Sequence, residues 1–459
     1  MTRSTLLSRF RGAGAAYAAL VASAFCSGFS MPLARIFLVV ALACAIRDAA
    51  LGRARLRWTA PVAGWAAYSL LAVVVTAIVA ATLPEGALIN PARGLRKTEK
   101  LLWFMGALLI PAYATTRERF RFLLAAFVAG SALYAAAIVV GHPIGAWLQC
   151  TIPFPKRPPD PGTASAWLLS VSDSLGLTQT LRDWAATPWR PRTYAQALGK
   201  LGGMGQAQRL MAATIAAIGL WTRGGCGEND SRGVRGGCGE NDSCGVREVR
   251  GVALWPWCAA LLFAGLAVTL KRGSLIVLLI VGGALLARRI GWRRIAAVAA
   301  LVLAVALALP PLRHRLAELP DELRFTKGGR VLMWTDLAPA MHRRHPWGVG
   351  FRGLTYESLR YATENGWRLE KHQNHLHSNL VEVAVELGWL GLAAYLAWMA
   401  LAFRAAARRQ EPGDPLSAIP LLLLLSLFLN GLVEYNLVDG ETVLIYGLAM
   451  GLSCTKHSR

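Results

Sequence analysis

Three of the eight histidines fall within six positions, in the stretch His372-Gln373-Asn374-His375-Leu376-His377-Ser378-Asn379. Imidazole is the side chain that accepts a proton near neutral pH, so a cluster of this kind suits a general base. The same three rings could instead ligate a metal. The acids nearby are Glu364, Glu370 and Glu382, without an aspartate pair at a useful spacing, and no H-E-x-x-H pattern occurs. The surroundings are basic, which favours proton transfer beside anions over metal binding; neither a metal nor a cofactor is expected. Directly downstream, Leu380 to Phe403 is an apolar run long enough to cross a membrane. The histidines therefore read as reactive groups at a membrane surface.

The elements that must position them are membrane helices. Of 459 residues, 55% are hydrophobic and only 16% charged, and the mean hydropathy is +0.41. Apolar segments of roughly 18–22 residues recur, matching a hydrocarbon thickness of ~30 Å. Backbone polar groups in lipid must be satisfied internally, so the fold class is an all-α polytopic membrane protein. Spans are expected near 12–29, 32–50, 60–82, 99–115, 120–141, 207–222, 252–270, 274–288, 295–312, 381–403, 416–432 and 441–454, about twelve helices. The first follows Arg3, Arg9 and Arg11, has no A-x-A site after it before a second helix starts, and reads as an uncleaved anchor. A net charge of +23 could indicate nucleic acid, but in a chain this apolar it reads as basic loops that orient helices, and no nucleic acid is expected.

Basic clusters at Arg47/Arg53/Arg55/Arg57, Arg117/Arg119/Arg121, Arg288/Arg289/Arg293/Arg294 and Arg404/Arg408/Arg409 all fall on one side if both termini are cytoplasmic. That frame divides the chain into helices 1–5 (1–141), a first long outer loop (142–206), helices 6–9 (207–312), a second long outer loop (313–380) and helices 10–12 (381–459). An inner linker, 223–251, contains Arg-Gly-Gly-Cys-Gly-Glu-Asn-Asp-Ser at 223–231 and again at 235–243. It is polar, glycine-rich and aperiodic, a flexible connection. Its Cys226, Cys238 and Cys244 lack zinc-site spacing, and no disulfide framework is implied.

Three basic groups break the positive-inside pattern. Arg93, Arg96, Lys97 and Lys100 are spaced i, i+3, i+4, i+7, one face of a helix that starts around 90–100 at Asn90-Pro91. Singly they could snorkel to headgroups, but as a stripe beside a helix N-terminus they suit a phosphate. Lys271-Arg272-Gly273-Ser274 fills a short turn between two spans, where an arginine implies a fixed anion. Arg330 opens an amphipathic segment in the second outer loop, either as a salt-bridge partner or as a substrate contact. An arginine fork can hold two phosphate oxygens at once. In the first outer loop Arg190 and Arg192, flanked by Trp189 and Tyr194, could touch donor sugars or phosphate or simply anchor at the interface.

The run Gly329-Arg330 to Trp334, then His345-Pro346-Trp347-Gly348-Val349-Gly350, His375-Leu376-His377 and Glu386-Leu387-Gly388-Trp389-Leu390-Gly391 resembles the signature of the O-antigen ligase superfamily. That superfamily includes ligases, O-antigen polymerases and bacterial O-linked oligosaccharyltransferases. The motifs span about 270–395, and the hydropathy pattern extends the resemblance over the chain.

The resemblance implies a GT-C-like fold in a bacterial inner membrane, with the active site periplasmic. It implies inverting transfer of a glycan from undecaprenyl pyrophosphate to a hydroxyl of lipid A–core. Polymerases and protein oligosaccharyltransferases share the donor and differ in acceptor. The family's two functional arginines correspond to Arg272 and Arg330, and its loop histidine falls in His375-Leu376-His377. Here Asn379 stands one position later than in the usual His-x-His-Asn form, which leaves His375 and His377 both open as the base; His377 is preferred. Asn379 and Glu382 look like a capping box for the tenth span. Trp334 and His372 would support the loop, and Arg93, Arg96, Lys97, Lys100 and Arg192 would join the arginines on the donor. A flippase or transporter is the contrasting reading; charge gathered at one face, with spans largely free of charge apart from Arg35 in the second, favours chemistry at the interface over passage.

Overall fold

The structure, a computed structural model, describes residues 14–82, 91–151, 204–223, 254–269, 271–297, 330–354, 375–411, 414–437 and 439–455, with Ala300, Ala304, Tyr361 and Glu364. These residues are helical, without strands. In order they form α1 (Gly14–Ser27), α2 (Met31–Ala50), α3 (Ala60–Thr82), α4 (Pro91–Lys97), α5 (Glu99–Leu102), α6 (Gly106–Tyr113), α7 (Arg117–Thr151), α8 (Met204–Arg223), α9 (Leu254–Val268) and α10 (Arg272–Ile290). There follow α11 (Arg330–Leu332), α12 (Ala338–Arg344), α13 (Asn379–Arg408), α14 (Pro415–Val433) and α15 (Gly440–Ser453).

Four helical stretches, Ala60–Thr82, Arg117–Val140, Asn379–Arg408 and Pro415–Val433, are long and apolar enough to cross a membrane. Gly14–Ser27, Leu254–Val268 and Arg272–Ala287 are shorter and apolar. Within the expected span 99–115 the chain is helical from Glu99 to Tyr113, tightened by a 3₁₀ turn at Trp103–Met105 between α5 and α6. α7 runs on to Thr151, into the expected first outer loop. The remainder of that loop, the 223–251 linker and most of 295–329 and 355–374 lie outside the described residues.

The bundle is built round α8. Residues 207–220 are buried without interruption, and α8 packs against α7, α9, α10, α14 and α15. A helix apolar on all sides has no face for lipid, so it takes the centre. Its second turn carries the exception, Gln208 and Arg209, which are 1% and 2% exposed. Gln208 donates to Asn430 Oδ1 (2.6 Å) and accepts from Thr442 Oγ1 (2.6 Å). Arg209 pairs with Glu441 (3.0 Å) and donates to the Gly28 carbonyl (2.8 Å). An unpaired charge at this depth would be costly, and the partners come from three other parts of the chain, so the polar layer fixes how those helix ends meet. On the other side α3 and α13 are joined by a stack of Tyr68 on Trp398 (5.4 Å), with Phe104 edge-on to Trp398 (5.0 Å).

α13 is two helices in one. Gly388 has φ 65° and ψ −169°, a conformation open to glycine, and it interrupts the intrahelical ladder. The Val385 and Glu386 carbonyls accept instead from Val349 N (3.1 Å) and Gly350 N (2.9 Å). Gly348, at φ 98°, lies so close that a Cβ would overlap the Glu386 carbonyl oxygen. The two glycine-rich motifs noted in the sequence are thus the two halves of one backbone joint. Gly348→Ala adds both a steric overlap and left-handed strain, and should cost roughly 1–3 kcal/mol. It should appear as a lowered thermal unfolding midpoint of the detergent-solubilised protein; an unchanged midpoint would contradict the joint.

Candidate active site

The site forms where helix ends converge on the first two turns of α13. Ser378 is the N-cap, and its side chain makes no capping bond. The capping box expected from Asn379 and Glu382 is absent. With the cap at Ser378, Glu382 lies one position too far along to close a box, and it reaches past the helix end to accept from Leu376 N (2.5 Å). Asn379 faces inward: its Oδ1 accepts from Asn436 N (2.9 Å) and Leu437 N (3.1 Å), and its Nδ2 donates to Asn436 Oδ1 (2.7 Å). The amide displaced by one position is therefore a clamp on the 434–437 loop.

That loop presents Glu434. Its Oε1 takes the Arg330 Nη2 bond (2.5 Å), while Arg330 Nη1 donates to the Val433 carbonyl (2.7 Å). Its Oε2 faces His377 Nδ1 at 3.4 Å. Burial alone would push the Glu434 carboxyl up; the His377 hydrogen bond and the Arg330 charge outweigh it, so the pKa lies below its ordinary value. His377 is held at φ 53°, left-handed and strained for a non-glycine residue, and its side chain is 21% exposed. Trp334, in a π turn at Met333–Leu337 between α11 and α12, donates to the Leu376 carbonyl (2.7 Å), so the peptide between the two histidines is gripped on both sides.

His375 packs its ring 4.3 Å from that of His377. Burial first, then the charges of His377 and Arg352, lower its pKa from 6.5 to about 4. Such an imidazole is neutral at physiological pH but weakly basic.

The structure brings several expected basic residues here. Gly273, beside Arg272, lies 3.5–3.9 Å, measured from an added Cβ, from Val433, Asn430 and Glu434. This sets the first turn of α10 against the glutamate. In the same way Gly94 touches Phe351, so α4, with Arg93, Arg96 and Lys97, abuts the 345–354 loop. Arg96 is exposed, and Lys97 and Lys100 are half-buried. The Arg93 side chain, Arg192 and His372 lie outside the described residues.

Besides Glu434, three participants, Arg352, Tyr435 and Glu386, were not singled out as site residues from sequence. Arg352, at φ 60°, donates its backbone N–H to Glu386 Oε1 (2.8 Å) and places its guanidinium over the Tyr435 ring (5.5 Å). Tyr435 donates its hydroxyl to Glu386 Oε2 (3.3 Å). Glu382 and Glu386, spaced i, i+4 on one buried face, were the available signal, since carboxylates in an apolar helix need partners.

Fold and site together define an all-helical membrane protein with cations and histidines gathered where its helix ends meet. A family model described as O-Antigen ligase matches residues 257–396, which supports placement in the O-antigen ligase superfamily. The match covers α9, α10, the Arg330–Arg344 segment, the histidine stretch and the first turns of α13. It supports glycosyl transfer of the O-antigen ligase and polymerase type, and lipid-linked glycans as substrates in general. Among curated proteins, none matches the chain closely enough to be named a relative.

The His375 environment sets a pH dependence. A folded-state pKa below the unfolded value of ~6.5 means the unfolded chain binds the proton first, so stability is full above about pH 6.5 and is lost as pH falls toward about 4. The loss should be roughly 1–3 kcal/mol. Thermal melts between pH 7.5 and 4.5 should show it, and His375→Gln should flatten the curve; an equal slope in the variant would refute the assignment.

Proposed function

We propose that this protein transfers a glycan from undecaprenyl pyrophosphate to a hydroxyl of lipid A–core, with inversion at the anomeric carbon, at the periplasmic face of the bacterial inner membrane. The observation that carries the reading is Glu434, which holds His377 through Nδ1 and is itself fixed by Arg330. A carboxylate on Nδ1 selects the tautomer whose Nε2 lone pair faces outward, as a general base requires.

In the proposed step the acceptor oxygen attacks the anomeric carbon opposite the diphosphate and its proton passes to His377 Nε2. The carbon–oxygen bond to the diphosphate breaks, and the electron pair leaves with the phosphate. A diphosphate is a good leaving group once its charge is neutralised, so no acid is needed. Arg272, Lys97, Lys100 and neighbouring cations supply that neutralisation in a partly dry site. His377 is favoured over His375 because an imidazole with a pKa of about 4 has little affinity for the proton it would remove. Arg330 acts through Glu434, and Trp334 by fixing the Leu376 peptide. With cations already placed for the diphosphate, the reaction is proposed to proceed without a metal.

The decisive experiment offers the purified protein undecaprenyl-pyrophosphate glycan with lipid A–core in one tube and without it in another. Transfer to lipid A–core alone supports ligation, whereas chain growth without it would replace that reading with polymerisation. His377→Ala and Arg272→Ala should abolish transfer while membrane insertion is unchanged; wild-type rates in either variant would remove the assigned role. Glu434→Gln should lower the rate on the order of 10- to 100-fold, less than loss of the base itself. EDTA should leave the wild-type rate unaltered; inhibition reversed by Mg²⁺ or Mn²⁺ would overturn the metal-free mechanism.

A further inference from the structure

His377 and Glu434 meet at 3.4 Å, near the outer limit of a hydrogen bond, so a small shift of either would part them. Neither sits inside a regular helix that could hold it. His377 has a left-handed backbone (φ 53°), and Glu434 stands just past the end of α14 with extended dihedrals. A left-handed histidine persists only where its surroundings impose that conformation. Arg330 fixes Glu434, and the clamp on the Leu376 peptide fixes His377. Each acts on one partner, and the distance between the two needs a further constraint.

Asn379 and Asn436 supply it, each two positions further along its segment. They are 1% and 0% exposed. The Asn379 side chain accepts from the Asn436 and Leu437 backbone N–H groups and donates to Asn436 Oδ1 (2.7 Å). The Asn436 amide also accepts from the Tyr446 hydroxyl (3.2 Å) and donates to the Leu427 carbonyl (3.0 Å), and its backbone carbonyl accepts from Asp439 N (3.3 Å). Every polar group of Asn436 is thus engaged, by α13, α14, α15 and the cap of α15, and a buried network satisfied in this way is rigid. A Cβ at Gly431 would overlap the Asn379 amide, so the fit also depends on a glycine of α14. His377 and Glu434 are 57 positions apart, and so are Asn379 and Asn436. The two segments therefore run side by side in one direction at a constant offset, and a slip of one residue would lose both contacts. A carboxamide donates and accepts from separate atoms, which is what this place requires.

We propose that Asn379 and Asn436 are positioning residues that set the distance between the base and its carboxylate, and that they act on catalysis through Glu434. The inference rests on the His377 reading given above. Neither asparagine is assigned a contact with substrate. The start of α10, with Arg272, is held separately by the Asn430–Ser274 bond (3.2 Å).

The test is a double-mutant cycle on glycan transfer from undecaprenyl pyrophosphate to lipid A–core, with kcat, donor KM and thermal stability measured for the full-length protein in detergent. Asn379→Ala should lower kcat on the order of 10-fold with donor KM unchanged. In the Glu434→Gln background, where the contact is already weakened, the same substitution should cost less than about 3-fold. Asn379→Asp keeps an oxygen for the two backbone N–H groups and loses the bond to Asn436 Oδ1, so its kcat should fall in between. A purely structural role would lower the melting point yet leave the same factor in both backgrounds; equal factors, or a rise in donor KM without loss of kcat, overturn the proposal. Failure of both variants to insert overturns it as well, since the asparagines would then belong to the fold and not to the chemistry. Wild-type transfer by Glu434→Gln and His377→Ala would instead remove the base reading, and this inference with it.

Discussion

The break at Gly388 is the constraint on which the rest of the site depends. An unbroken α13 would keep the Val385 and Glu386 carbonyls inside its own ladder, and the 345–354 loop would have nothing to pair with. By turning the backbone at one glycine, the chain releases two acceptors at the helix flank, and the loop meets them with Val349 and Gly350. Arg352 then follows within two residues, beside α4 and the 434–437 loop. The long apolar part of α13 is left free to pack on α3, while its first two turns serve as the anchor for everything polar.

Charge balance follows from that anchor. The chain is strongly basic, yet the acids at this place are few, and two of them are shared. Glu434 serves Arg330 and His377, Glu386 serves Arg352 and Tyr435, and Glu441 serves Arg209. Sharing one carboxylate between two partners orients both and leaves positive charge in excess, which is the condition for holding an anionic ligand without losing the shape of the site. The buried layer of Gln208, Asn430, Thr442 and Ser274 lies just beneath and sets where α8, α10, α14 and α15 end, so the cations inherit their positions from neutral hydrogen bonds.

Much of this was legible in the chain. Hydropathy separates apolar helices from polar loops because burial in lipid demands long uncharged runs, and the described residues are helical where those runs stand, from Ala60–Thr82 to Pro415–Val433. The histidine stretch, Arg272, Arg330 and the Arg93–Lys100 stripe stood out because basic and titratable residues are rare beside such runs. The motifs at 345–350 and 386–391 could be recognised, though not the fact that they bond to each other.

What sequence alone determined is the class of the protein and the types of residue that could act, since both follow from composition and local spacing. The tertiary structure decided the partners. Glu434 lies 57 positions from His377, and Arg330 a further 47 before it, so no local pattern joins them. Arg352 drew no reading from the sequence, Asn379 and Glu382 read as a capping box, and Glu386 as the start of a glycine-rich motif. Their roles exist only once α13 is broken and four separate segments are brought against its first two turns, because hydrogen bonds and ion pairs depend on distance in space and not along the chain.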